Sequence, residues 1–321
     1  MARISRHWIL IGWMAVIIII GTATSKRSCP DNTTAFTPVA ELHNDTFNGY
    51  SGGLYPSGNR IPKNHFITGM QLADQIVACD TAGVPDPTGS VGMLILGYST
   101  AAMTGRTFRE MHQIMHPLSP LRIVIGAQGG RDINSMTNIP LRYWDSVEVS
   151  IHASGLTRHQ VQMAWISTGD IQSYTLPFPD QAEIQTQKYR TLLQIIRMRF
   201  PSIKIVFLSD RPYAGYIGTG DPPGPSELAE PTAYYHSWAV KWVIGRQING
   251  EQGYSMETLP FIDWGPVLWT NGTDADETGY SWDCRDAGKG GIHPTSKGRM
   301  KEAARAYHYF SQHPYSEKWF R

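Results

Sequence analysis

Cysteine is scarce in this chain: three residues in 321. Cys29, Cys79 and Cys284 are far apart and no two form a C-x-x-C pair, which argues against a zinc site built on thiolates. Charge is low as well, with 17% charged residues, a formal net charge of +1 and a pI near 7.8. No basic field points to a nucleic-acid partner. Internal repeats and low-complexity tracts are absent, so one main domain is the simplest organisation. A hydrophobic fraction of 41% is ordinary for a globular chain and argues against disorder.

What is present begins at the N-terminus. Arg3, Arg6 and His7 precede an apolar run from Trp8 to Gly21, followed by small residues at Ala23-Thr24-Ser25. A basic start, a short apolar core and a small-x-small site form a secretory signal, predicted over residues 1–25. A short membrane anchor is the alternative, although the run falls below the roughly 20 residues that span a bilayer. Export would permit one disulfide among the three cysteines, and all three single pairings stay open. Asn32, Asn44 and Asn271 stand in N-x-S/T sequons, acceptor sites only in a host that glycosylates. Residues 26–64, rich in Asn, Gly, Pro and Ser, are predicted as an irregular leader that hugs the surface.

Beyond it, short apolar runs alternate with helical patterns. Runs at 91–97, 121–125, 161–166, 203–208 and, more weakly, 259–262 each end in small or polar residues. Helical periodicity lies near 65–79, 101–116, 181–199, 230–249 and 295–311. Continuous apolar runs alternating with helices predict an α/β domain over 65–321, its parallel sheet covered on both faces. In such sheets chemistry gathers at the carboxyl ends of the strands, beside helix N-termini. Four segments fall there: Gly97-Tyr98-Ser99-Thr100, Gly126-Ala127-Gln128-Gly129-Gly130, Ser167-Thr168-Gly169-Asp170 and Gly290-Gly291-Ile292-His293-Pro294.

Ser99 follows a buried strand and opens a helix, which suits a nucleophile once a base takes its proton. The bland use of such a serine is to cap the helix. The segment is not G-x-S-x-G, because position 101 is alanine, so the lipase-type elbow does not apply. His293, held before Pro294 at the start of the last helix, is positioned to act as general base. The run Gly126–Gly130 lacks the lysine of a phosphate-binding loop.

The order of these blocks resembles the SGNH (GDSL-type) hydrolase family. Gly97-Tyr98-Ser99 stands where that family has Gly-Asp-Ser, Gly130 where it has the oxyanion-hole glycine, and Ile292-His293-Pro294 where it has the histidine. The likeness extends over most of residues 50–321 and is greatest to secreted bacterial members with similar Leu54-Tyr55-Pro56 and Gly126–Gly130 segments. It implies a three-layer α/β/α sandwich with a mostly parallel, flavodoxin-like five-stranded sheet. It also implies a cofactor-free, metal-independent serine esterase acting on acetyl or other acyl groups of carbohydrate. The oxyanion would rest on the amides of Ser99 and Gly130.

Two positions depart from that pattern. Asp170 occupies roughly the place of the family asparagine, and a carboxylate accepts hydrogen bonds rather than donating them. Gln128, Thr168 or backbone amides remain as substitute donors. Gly290 stands where the family has an acid three residues before the histidine, leaving Asp286, Asp283 or a backbone carbonyl to orient the ring. A chain that keeps the scaffold without turnover, as a carbohydrate-binding or structural protein, is the alternative.

Trp269 and Trp282, flanking a polar loop, are candidates for stacking on sugar. Trp238 and Trp242 read as core. His112 and His116, four apart on a helix, read as helix surface, and His152 and His159 have no evident partner. Asp210 and Arg211 are expected to form a local salt bridge. The partners expected are a small ester or an acylated polysaccharide, with a membrane only if residues 1–25 are retained.

Overall fold

The computed structural model describes residues 34–43, 45–138, 142–218 and 224–321. The signal predicted over 1–25, Cys29 and the sequon asparagines Asn32 and Asn44 lie outside these residues. A small antiparallel hairpin, β1 (Thr46–Phe47) and β2 (Tyr50–Ser51), precedes α1 (Lys63–Ala73). Then follow β3 (Val91–Gly97), α2 (Ser99–Met115), β4 (Leu121–Ile125), α3 (Ile133–Thr137), α4 (Tyr143–Ala153), β5 (Val161–Ser167) and α5 (Asp180–Arg199). The chain continues through β6 (Ile205–Ser209), α6 (Thr232–Ile248), β7 (Phe261–Trp264), α7 (Ser296–Gln312) and α8 (Glu317–Phe320).

Strands β3 to β7 form one parallel sheet in the order β4-β3-β5-β6-β7. This is the three-layer, flavodoxin-like α/β architecture expected. Every residue of β3, β5, β6 and β7 is buried, and successive side chains serve opposite faces. Leu94 and Leu96 join Val206, Leu208 and Ile262 under α4, α5 and α6. Met93 and Ile95 join Trp165, Phe207 and Phe310 beneath α2, α7 and α8. Strand order reverses at β3, and the crevice at such a reversal is where α/β sheets bind ligands.

Helix α4 carries no clear sequence signal. Val147, Val149 and Ile151 are β-branched and stiff in a helix, yet Tyr143, Trp144, Val147 and Ile151 share one buried face. The covering of the sheet outweighs local propensity there. His112 and His116 also differ from expectation. His112 is buried, with Nε2 2.7 Å from Phe320 O, and His116 Nε2 lies 2.8 Å from Tyr307 Oη. Both imidazoles attach the C-terminus to α2 rather than facing solvent. Trp238 is fully buried, as core. Cys79 is a free, buried thiol and Cys284 is disulfide-bonded, which excludes both pairings that use Cys79.

The described part of the leader is more ordered than its composition suggests. Lys241, on α6, donates to the carbonyls of Gly52, Gly53 and Tyr55 at 2.7, 2.6 and 3.2 Å. Tyr55 Oη donates to buried Asp263 at 2.8 Å, and Trp264 Nε1 to Leu54 O at 2.7 Å. Phe36 and Phe47 pack on Tyr234, and Phe47 on Trp238. Lys241→Met removes the donor shared by these carbonyls, which should cost about 2–4 kcal/mol, read as a lower urea midpoint at unchanged m-value.

Candidate active site

Gly97 ends β3 with φ +144°, and a Cβ there would lie 2.0 Å from Ser167 O. Only glycine lets β3 approach β5 this closely and turn at once into α2. Tyr98 is the N-cap, extended at φ −73°, so Ser99 begins the first turn. The first amides of a helix lack intrahelical partners and carry the positive end of its dipole. The serine hydroxyl therefore emerges beside unpaired N–H groups at the switch point of the sheet.

His293 reaches the same place from the far end of the chain. Its loop is closed by Gly288 N–H donating to His293 O at 2.7 Å, Thr295 N–H donating to Asp286 O at 2.8 Å, and an Ala287–Pro294 bridge. Thr295 caps α7 by accepting from Gly298 N–H. Ser99 Oγ and His293 Nε2 lie 2.8 Å apart, across 194 residues of sequence. When Ser99 donates that bond, the ring proton is on Nδ1. Among the described residues nothing hydrogen-bonds to Nδ1.

Asp286 therefore does not orient the imidazole. It is buried and ion-paired, with Lys301 at 2.6 Å and Lys297 at 2.8 Å, and it accepts from Asp283 N–H. A buried carboxylate needs such partners, and the lysines of α7 meet that need. Asp283 is likewise held by Arg285 and Lys297. Burial works to raise its pKa, but these partners outweigh it and hold the carboxyl well below the usual range. Both acids fasten the histidine loop to α7 and leave the ring free.

The second loop makes a tight turn, with Arg131 N–H reaching Gln128 O and Gly130 at φ +68°. A Cβ on Gly129 would lie 3.9 Å from Ser99 Cβ, so this turn adjoins Ser99. Neither glycine amide has an intramolecular partner among the described residues. Gln128 turns inward, donating to Tyr143 O at 3.1 Å, so it offers no side-chain donor at Ser99.

Asp170 is fully buried and faces inward as well. It pairs with Lys188 at 2.7 Å and accepts from Asn134, Ser173 and Gln172 N–H. Burial raises its pKa, but these bonds more than offset that and keep it ionised. Its charge is thus balanced, and with Asn134 it ties the third loop to α3. Thr168 is fully buried, its hydroxyl without a partner among the described residues.

Trp269 and Trp282 are 1% and 3% exposed, which removes them as stacking platforms. Trp269 Nε1 donates to Glu230 at 2.8 Å. Asn271 spends its side-chain amide on Thr34, accepting from its N–H and donating to its carbonyl. Asp210 and Arg211 do not pair. Asp210 accepts from Leu268 N–H, Trp269 N–H and Ser237, and burial raises its pKa to about 6. Arg211 lies over the Tyr98 ring at 5.0 Å. Glu302 on α7 is a further buried acid near the site, accepting from Thr104, and it carries no sequence signal beyond its helical position.

No family model matches the chain, and no curated protein matches it. Solved structures similar to it include an SGNH hydrolase from Slackia heliotrinireducens, at 10% identity and TM-score 0.36 over 69% of this chain and 99% of that one. An alpha/beta hydrolase from the metagenome of Lake Arreo, Spain, is similar at 14% identity and TM-score 0.38 over 67% and 92%. A family two carbohydrate esterase from Clostridium thermocellum, solved with cellohexaose, is similar at 13% and 0.39 over 69% and 63%.

Burial pushes the Glu302 carboxyl up to about 8. The folded chain keeps that proton between about pH 4.5 and about pH 8, while the unfolded chain releases it, so stability falls as pH rises through this window. Glu302→Gln removes the slope. Relative to wild type, the variant should be more stable at about pH 9 than at about pH 5, by a few kcal/mol, in thermal melts at the two values.

Proposed function

We propose that the protein is a serine ester hydrolase in which Ser99 and His293 act as a dyad. The observation that carries this reading is the 2.8 Å contact between Ser99 Oγ and His293 Nε2, placed beside unpaired amides at the switch point of the sheet. Ser99 Oγ attacks the ester carbonyl carbon while Nε2 takes its proton. The resulting oxyanion is met by N–H groups of Ser99 and of the Gly129–Gly130 turn, which already carry the right sign of dipole. The imidazolium returns its proton to the leaving alkoxide as the C–O bond breaks. Water, deprotonated by the same nitrogen, then releases the acid and restores Ser99.

Carbohydrate-borne acyl groups are the inferred substrates and the exported compartment the inferred location. Both rest on the signal-like N-terminus and the family resemblance. The unaccompanied Nδ1 favours a second reading, a carbohydrate-binding protein of this fold without turnover. A fluorophosphonate probe and p-nitrophenyl acetate separate the two. Covalent labelling and hydrolysis are expected, both lost in Ser99→Ala and His293→Ala by roughly 10³–10⁶-fold. If the wild-type protein takes no label and hydrolyses nothing while binding acylated polysaccharide, the second reading replaces the first.

Because Asp286 contacts lysines and not the imidazole, Asp286→Asn should lower kcat by less than about tenfold, where removal of a triad carboxylate costs about 10⁴-fold. Its main effect should appear as a lower Tm. A loss approaching the larger figure in a folded variant would show that Asp286 does serve the ring.

A further inference from the structure

Helix α6 carries a glycine in its interior, Gly245, although glycine is a poor helix former. A glycine so placed answers to packing or to function. Packing does not demand it: a Cβ there meets only Pro56 Cγ within 4 Å, at 3.6 Å, an ordinary contact. Trp242, Gly245 and Asn249 stand at i, i+3 and i+7, on one stripe of the helix. The missing side chain leaves the floor of a cleft of about 450 Å³ between α5, α6 and the segment carrying Tyr50 and Pro56. Small-molecule sites span roughly 300–1,000 Å³.

Two aromatic side chains form one wall. Trp242, expected in the core, is only part-buried, and Tyr50 is 41% exposed. Their ring centroids are 5.1 Å apart with planes at 45°, and both rest on Phe178, at 5.5 and 5.3 Å. Lys241 donates to the carbonyls of Gly52, Gly53 and Tyr55, which fixes the segment bearing Tyr50 and Pro56. A wall ordered in advance lowers the entropic cost of binding.

The polar lining is close to balanced in charge. Asp180, Glu183 and Glu251 stand against Lys241 and Arg246. Arg246 is taken by Glu183 at 2.5 Å and Glu251 at 3.6 Å. Asp180 lies in the first turn of α5, where the positive end of the helix meets its charge. An organic cation would face Lys241 and Arg246, and an anion would face three carboxylates, so neither is favoured. Asp180 and Asn249 are exposed, and their side chains make no hydrogen bond or ion pair among the described residues. They keep free acceptors, and Asn249 free donors, beside the aromatic wall.

We propose that this cleft binds a neutral pyranose unit of a glycan, with its C–H face on Trp242 and Tyr50 and its hydroxyls on Asp180 and Asn249. Aromatic side chains offer the apolar surface that such a face needs, and the uncommitted polar groups meet the ring's edges. The cleft shares no residue with the dyad. It deepens the carbohydrate reading above, on which it rests for the polymer, as a second hold on the substrate.

Calorimetric titration of the full chain with cellotetraose, xylotetraose and tetra-N-acetylchitotetraose tests this, with choline and trigalacturonate as charged controls. Wild type should bind at least one tetrasaccharide, with an affinity that does not change between low and high salt, because no ion pair forms. Tyr50→Ala should weaken that binding roughly 3- to 10-fold, and Tyr50→Phe should keep most of it. Gly245→Gln should abolish binding by filling the cleft while Tm holds or rises, since glutamine is the better helix former. Failure of all three sugars to bind overturns the proposal, as does tighter binding of choline or trigalacturonate. So does sugar binding that survives in folded Gly245→Gln, which would place the sugar elsewhere. None of these outcomes depends on turnover, so the esterase reading stands or falls by its own assay.

Discussion

Met93 and Ile95 face one core and Leu94 and Leu96 the other, and the same alternation runs through β5 and β6. A sheet so enclosed tolerates few polar side chains along its length, because each would need a buried partner. Polar chemistry is displaced to the strand ends, where loops meet helix N-termini and unpaired amides are available. Ser99, the Gly129–Gly130 turn, Asp170 and Arg211 all occupy that edge. The reversal of strand order at β3 opens the space between them. The position of Ser99 follows from this enclosure, since the end of β3 is where the chain can present a hydroxyl.

The edge is built from two kinds of contact. Some are close backbone approaches, as at Gly97, where Ser167 O leaves no room for a Cβ. Others are buried ion pairs that fasten loops to helices: Asp170 with Lys188 on α5, Asp286 with Lys297 and Lys301 on α7. In both, the carboxylate that looked catalytic by position is consumed by a lysine from the covering layer. Breaking such a pair leaves an uncompensated charge in the interior, which is why these acids belong to the architecture of the site.

This division explains how far the residues could be read in advance. Strand and helix pattern, the parallel sheet and the placement of Ser99 and His293 at strand or helix ends follow from apolar runs and from small residues after them, all local features of the chain. Helix α4 escaped because its β-branched residues favour another conformation locally, and only packing on β4 makes it helical. Trp269 and Trp282 looked like exposed platforms because they sit among polar loop residues. The loop folds them inward, where Trp269 donates to Glu230.

Taken alone, the order of residues determines the layers, the carboxyl-edge location and the identity of Ser99 and His293, because hydrophobic period and turn chemistry are written within a few neighbouring positions. The tertiary structure decided which partners each group at that edge obtains. It brought Ser99 to 2.8 Å from His293 and gave Asp170 and Asp286 to lysines. The reason is electrostatic: a buried charge or donor is satisfied by whatever the whole fold carries to it, over distances in sequence that no local pattern encodes.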